Sequence, residues 1–164
     1  MFENLLNLVK ENAGDAIINN PAIPNERNDE AISCASNSIV DGLKGAISSG
    51  NISDVLSMFI GGNAANSPIA HNIQGGFIQN LMDKFGLDGN QASGIANNLM
   101  PSILNKFVHK TNDPNDNSFH LQDIIQNLTG GKGGLDIQNI ISQFQGNANG
   151  EGTGLMDTVK GLFK

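Results

Sequence analysis

The chain has no tryptophan, no tyrosine, one arginine and one cysteine. Each shortage removes a class of function. Arg27 is the only side chain able to make the bidentate, planar contacts that read guanine or clamp a phosphate, and there is no tyrosine or tryptophan on which a base could stack. A nucleic-acid partner is therefore not expected. Protein interfaces lean on tryptophan, tyrosine and arginine as anchors, so an interface built here must use other side chains. The eight phenylalanines are left mainly for the core. Cys34 has no second cysteine to pair with, so no intrachain disulfide forms. It lies within an apolar helical stripe, where cysteine behaves as a small hydrophobe. No run approaches the roughly 18 consecutive apolar residues of a membrane-spanning helix. The opening MFENLLNLVKENAG carries Glu3 and no continuous apolar core, so a signal peptide is not expected and the cytoplasm is the expected location.

Asparagine fills much of the space these absences leave. There are 24 asparagines, against nine basic and sixteen acidic residues, and the formal charge is −7. The expected role of the asparagines is a solvated helix surface. At 164 residues the chain fits one domain with a real core.

A short unit recurs. It reads ISDVLSMFIG from Ile52, LQDIIQNLTG from Leu121 and IQNIISQFQG from Ile137, with a shorter variant, IQNLMDKFG, from Ile78. FENLLNLV from Phe2 and LMDTVKGLF from Leu155 echo it at the two ends. Apolar residues at i, i+3, i+4 and i+7 form one face of a helix, and a glycine just beyond stops it. The units lack the fixed period of a solenoid. They predict an all-α fold: a compact array of about seven or eight helices with Gly/Asn-rich connectors, in a single domain spanning 1–164.

Stripes and caps place the helices. The first is expected over 2–18, with Phe2, Leu5, Leu6, Val9, Ala13, Ala16 and Ile17 on one face and Pro21 and Pro24 beyond it. A second runs over 29–48 on Ile32, Ala35, Ile39, Leu43, Ala46 and Ile47, ending at Gly50. Asn51 is the expected cap of a short third helix that stops at Gly61-Gly62. Ser67-Pro68 opens a fourth, with serine as N-cap and proline in the first turn. Its Gly75 and Gly76 cost about 1 kcal/mol each, which close contact with another helix would justify. Gly86 ends it. Asp88 and Gln91 form a capping box for a fifth helix on Ala92, Ile95, Ala96, Leu99, Ile103 and Phe107, kinked at Pro101. Residues 1–110 are the expected core. Residues 111–164 are the expected looser tail, with Gly130 to Gly134 and GNANGEGTG as its connectors.

The run KFGLDGNQASGIANNLMPSILNKF carries a recognisable pattern: Lys84, Gly86 and Asp88, the pair Ala92-Ser93, and a leucine-rich helix broken at Pro101. It resembles the YidB-like family, a bacterial domain family of unknown function. The similarity is clearest over 77–130. Met100 stands where the family often has leucine before the proline, and the Asn/Gly-rich spacing of the tail is this chain's own. The resemblance implies a multi-helix soluble fold and brings no catalytic residue with it.

Chemistry is sparse. Asp113, Asn115 and Asn117 alternate like the start of an EF-hand loop, but Ser118 occupies the glycine position and Ile124 the bidentate-acid position. They are calcium candidates of low charge, set against an Asn/Asp turn leading into a Ser118 N-cap. His71, His109 and His120 have no partner at i+3 or i+4 and no cysteine cluster, so no transition-metal site is expected. TGGKGG around Lys132 lacks the spacing and the preceding strand of a phosphate loop, and reads as a connector. No G-x-S-x-G or comparable nucleophile arrangement occurs. Gln91 to Phe107 after the Gly86 turn has some helix–turn–helix character, but only Lys84, Lys106 and Lys110 lie near it. No cofactor and no catalytic residue are expected.

The expected function is a non-enzymatic protein-interaction or structural module. Its candidate contact residues are the faces of the tail units: Leu121, Ile124, Ile125, Ile137, Ile140, Ile141, Leu155, Val159, Leu162 and Phe163. Two alternatives stand beside it. One is attachment to a membrane surface through the amphipathic terminal helices, with Lys160 and Lys164 near lipid phosphates. The other is a small-ligand pocket between helices.

Overall fold

The computed structural model describes residues 1–130 and Ser142. They show an all-α architecture: no strand occurs among them, and six α-helices are joined by short turns. These are α1 (Phe2–Asn12), α2 (Asn28–Ser48), α3 (Ile52–Ile60), α4 (Pro68–Phe85), α5 (Gly89–Asn112) and α6 (Leu121–Leu128). A π-helical turn (Gly14–Ile18) follows α1, and 3-10 turns (Asn25–Arg27, Ala64–Asn66) lead into α2 and α4.

Several ends form as their residues require. The Ser67 hydroxyl accepts the Ala70 N–H at 3.1 Å, with Pro68 in the first turn of α4. Gly86 closes α4 at φ 66°, a left-handed conformation that costs glycine little. Asp88 and Gln91 make both bonds of the capping box: the Gln91 N–H donates to the Asp88 carboxylate at 2.8 Å, and the Asp88 N–H to the Gln91 side chain at 3.3 Å. α5 runs unbroken through Pro101.

Three ends differ from expectation. The first helix stops at Asn12. Beyond it the Ile18 N–H donates to the Ala13 carbonyl and the Asn19 N–H to the Gly14 carbonyl, the wider π spacing. Asn51 precedes α3 without a side-chain cap bond; its backbone carbonyl accepts from Asp54 and Val55 instead. Ser118 does not cap α6 either. His120 holds that position, and the Ser118 carbonyl accepts from the Asn4 side chain at 2.7 Å.

Two helices share the centre. α2 packs against α1, α3, α4 and α6, and α5 packs against α1, α3 and α4. The buried face of α5 is correspondingly wider than one stripe: Met100, Leu104 and Val108 are buried beside the expected Ala92, Ile95, Ala96, Leu99, Ile103 and Phe107. The α2–α4 contact depends on Gly42, where a Cβ would collide with the Ile73 side chain. Gly75 and Gly76 do not serve close packing. Both are exposed, and a Cβ on either would meet nothing within 4 Å.

The segment after α5 belongs to the same packing. Phe119 is 3% exposed and meets Phe107 edge-to-face at 4.9 Å, and Phe107 meets Phe59 at 5.4 Å. This aromatic string ties α3, α5 and the approach to α6 together. α6 then buries Ile124, Ile125 and Leu128. The core therefore extends past 110 to at least Leu128.

Candidate functional site

The candidate calcium loop folds on its own hydrogen bonds. The Asn115 N–H donates to Asp113 Oδ1 at 2.9 Å, and the Ser118 N–H to Asp116 Oδ1 at 2.9 Å. Two successive side-chain turns of this kind are what Asp and Asn favour in irregular backbone. Lys110 Nζ meets the other Asp116 oxygen at 2.8 Å. Lys110 and the bonds from Ser118 hold the Asp116 carboxyl well below the usual carboxylate range, and Asp116 raises Lys110 in return. Asp113 thus serves the turn through Oδ1, while Asn115 and Asn117 are exposed, and the turn does not lead into a Ser118 cap. Among the described residues, no three His, Cys, Asp or Glu side chains converge as metal ligands. His71, His109 and His120 are all exposed.

The chain's two singular residues are both committed to the fold. Cys34 is 2% exposed, and burial pushes its thiol up, away from the reactive thiolate. Arg27 grips both Glu30 oxygens at 2.8 and 2.9 Å, donates to the Lys84 carbonyl at 2.9 Å and lies 4.3 Å over the Phe85 ring. Its bond to Lys84 satisfies one of the last carbonyls of α4 and joins that end to the start of α2. Lys106, one of the cations near the helix–turn–helix-like segment, bonds Asn12 on α1.

The candidate contact residues divide. Ile124 and Ile125 are 1% and 0% exposed, so they are core residues and not a free face. The reason is that α6 packs against α2, while Phe119 anchors its approach on Phe107. Leu121 is half-buried against the same core. Ile137, Ile140, Ile141, Leu155, Val159, Leu162 and Phe163 lie outside the described residues, as do Lys132, Lys160 and Lys164. At the other end, α1 buries Leu5, Leu8 and Val9 and leaves only Phe2 strongly exposed, at 42%. The N-terminal helix is docked, so its apolar face is not available to a lipid surface. Among the described residues, no helix is long and apolar enough to cross a membrane.

Asparagine does more than cover the surface. The Asn112 side chain donates to the Phe59 carbonyl at 2.5 Å, and Asn80 to the Ser38 hydroxyl at 3.0 Å, each joining two helices. Asn4 holds the loop before α6 through Ser118, as above. Sequence reading missed these roles because an amide at a surface position looks the same whether it faces water or a neighbouring helix end.

One open groove stands out, about 770 Å³ in volume, where the end of α5 meets the connector after α3. Asn105, His109, Asn112 and Asp113 bring polar atoms to it, and Ala64, Val108 and Pro114 give it an apolar side. A smaller hollow of about 420 Å³ lies at the turn containing Ile18, Pro21 and Pro24. The volume of the first is in the range of ordinary ligand sites, but it is open to solvent and half of its lining residues are polar, where small-molecule pockets are mostly apolar. Its position at the C-terminal end of a 24-residue helix adds the negative pole of the helix dipole to the Asp113 carboxylate. No protein-family model, no curated protein and no solved structure matches this chain.

Proposed function

We propose that the chain is a non-enzymatic protein-interaction or structural module of the YidB-like kind, working in the cytoplasm. One observation carries this reading: the chain's single thiol, its single guanidinium and its best-paired carboxylate are all engaged in the fold. The thiol is buried, the guanidinium is locked between two helix ends, and the best-paired carboxylate, Asp116, serves a turn. What the surface offers instead is hydrogen-bonding amides and a negatively charged groove.

Affinity capture with the full chain from the source organism, followed by mass spectrometry, tests the reading. A defined protein should enrich over a bait of equal size and charge. If nothing enriches, the interaction reading falls. The membrane-surface alternative is separated by co-sedimentation with anionic vesicles. Because α1 is docked, that alternative rests on the segment from Leu155 to Phe163; on the interaction reading full-length protein should stay in the supernatant, and sedimentation with vesicles would favour the alternative.

A further inference from the structure

We propose that the groove at the end of α5 receives the cationic side chain, arginine or lysine, of a partner protein segment. The inference rests on the interaction reading and supplies the chemistry of its partner. Four observations lead to it.

The first is the carboxylate. Asp113 lines the groove, and only its Oδ1 is used by the turn, in accepting the Asn115 N–H. Its Oδ2 has no hydrogen-bond or ion-pair partner among the described residues, because the nearby Lys110 is paired with Asp116. The second is Asn112. Its amide nitrogen donates to the Phe59 carbonyl, which fixes the side chain and leaves Oδ1 as its acceptor. The third is the helix end itself. Asp113 leaves α5 in an extended conformation, φ −82° and ψ 115°, and Pro114 follows with no N–H to return to the last carbonyls. The negative pole of α5 is therefore not closed by the usual backbone cap. Together these groups accept hydrogen bonds and favour positive charge. The fourth is the exposed ring of Pro114 on the groove's apolar side, above the almost fully buried Ala64 and Val108, which suits the aliphatic stem of a lysine or arginine better than a bare metal ion. A chain of net charge −7 also steers a basic segment toward itself.

The test is a titration of ¹⁵N-labelled full-length protein with acetyl-Gly-Gly-Arg-Gly-Gly-amide, followed by amide shifts. Its control is the same peptide carrying citrulline, which keeps the shape and loses the charge. Saturable shifts are expected at Asn105, Val108, His109 and Asn112. The citrulline peptide should bind at least about tenfold more weakly, as loss of a charge-assisted hydrogen bond implies. Asp113→Asn keeps the acceptor that Asn115 needs, so the turn should persist, seen in an unchanged Asn115 amide shift. It should bind arginine peptide no better than wild type binds citrulline. Asp41→Asn, on exposed α2 surface away from the groove lining, makes the same change in net charge and should bind as wild type does. Absence of saturable shifts, equal affinity for the citrulline peptide, or undiminished binding by Asp113→Asn overturns the proposal. Free butylguanidinium binding as tightly as the peptide overturns the assignment to a protein segment. A partner captured equally well by wild type and Asp113→Asn leaves the interaction reading standing and removes this groove from it.

Discussion

Glycines of opposite consequence occupy the facing helices α2 and α4. At Gly42, a Cβ would overlap Cγ1 of Ile73 and lie 3.3 Å from its Cβ and 3.4 Å from its Cα. Ile73 is 1% exposed, and Cγ1 is not the far end of a flexible chain, so it has nowhere to turn. Overpacking of this kind costs about 1–3 kcal/mol, while alanine in place of glycine within a helix gains about 1 kcal/mol. Gly42→Ala should therefore lose up to about 2 kcal/mol of stability. Gly75→Ala and Gly76→Ala meet open space and should each gain about 0.5–1 kcal/mol. The decisive comparison is a double-mutant cycle with Ile73→Ala. That change alone should cost about 2–5 kcal/mol, but it removes the atom that the added methyl group strikes. In its background Gly42→Ala should become stabilising, giving a coupling of about 1–3 kcal/mol. Urea unfolding followed by far-UV circular dichroism is the assay, since the chain has no tryptophan or tyrosine to report by fluorescence. Equal stabilisation by Gly42→Ala and Gly76→Ala, or additivity in the cycle, refutes the reasoning.

Three further outcomes are expected. Asp88→Ala removes the acceptor of the α5 capping box and should cost about 1 kcal/mol in the same assay, with Asp88→Asn milder; no change would mean the cap is idle. The Asp116 carboxyl is depressed in the folded state, so it favours folding above its unfolded value of about 3.9 and ceases to as pH falls toward the folded value. Urea midpoints measured between about pH 4 and pH 2 should therefore fall more steeply for wild type than for Asp116→Asn, and parallel slopes would contradict the Lys110 pairing. Ile125→Ala should cost about 2–5 kcal/mol and keep a single transition, because Ile125 is fully buried; a loss below about 0.5 kcal/mol would mean that α6 is not part of the cooperative core.

How legible each feature was depends on how local its cause is. Ser67-Pro68, Gly86 and Asp88 with Gln91 are settled by bonds within four residues, and they form as their identities require. The α5 stripe was legible for the same reason, since 3.6-residue periodicity is a property of the segment. α1 is a mixed case. Leu5, Val9, Ala13 and Ile17 of the expected stripe are buried, but Leu8 is buried beside them and Phe2 is exposed, because which edge of the stripe faces inward depends on the neighbours. The role of Gly42 was hidden because a glycine in a helix does not say which helix it will face. The groove was hidden too. Asp113 stood out only as a calcium candidate and His109 only as an isolated histidine, and their meeting with Asn105, Asn112 and Ala64 depends on how the α3–α4 connector packs on α5.

The recurring unit separates local from tertiary causes most clearly. From Ile52, its first apolar position is half-buried and its fourth, fifth and eighth (Val55, Leu56, Phe59) are buried. From Leu121 the same pattern returns: Leu121 half-buried, then Ile124, Ile125 and Leu128 buried. Both copies stand alone as short helices, of nine and eight residues, too short to persist in water without burying that face. The copy from Ile78 lies inside α4 and behaves differently. Leu81 is buried, but Met82 is 36% exposed and Phe85 is only half-buried. There the longer stripe of Ile69, Ile73 and Phe77 sets the rotation of the whole helix, and the unit must follow. So in α3 and α6 the motif and the buried face coincide, but the echo from Phe2 in α1 leaves Phe2 exposed and buries Leu8 instead, so neighbours decide even in a short helix. In the long α4 the motif yields to the average of all the turns, and a mismatched apolar residue such as Met82 is left at the surface.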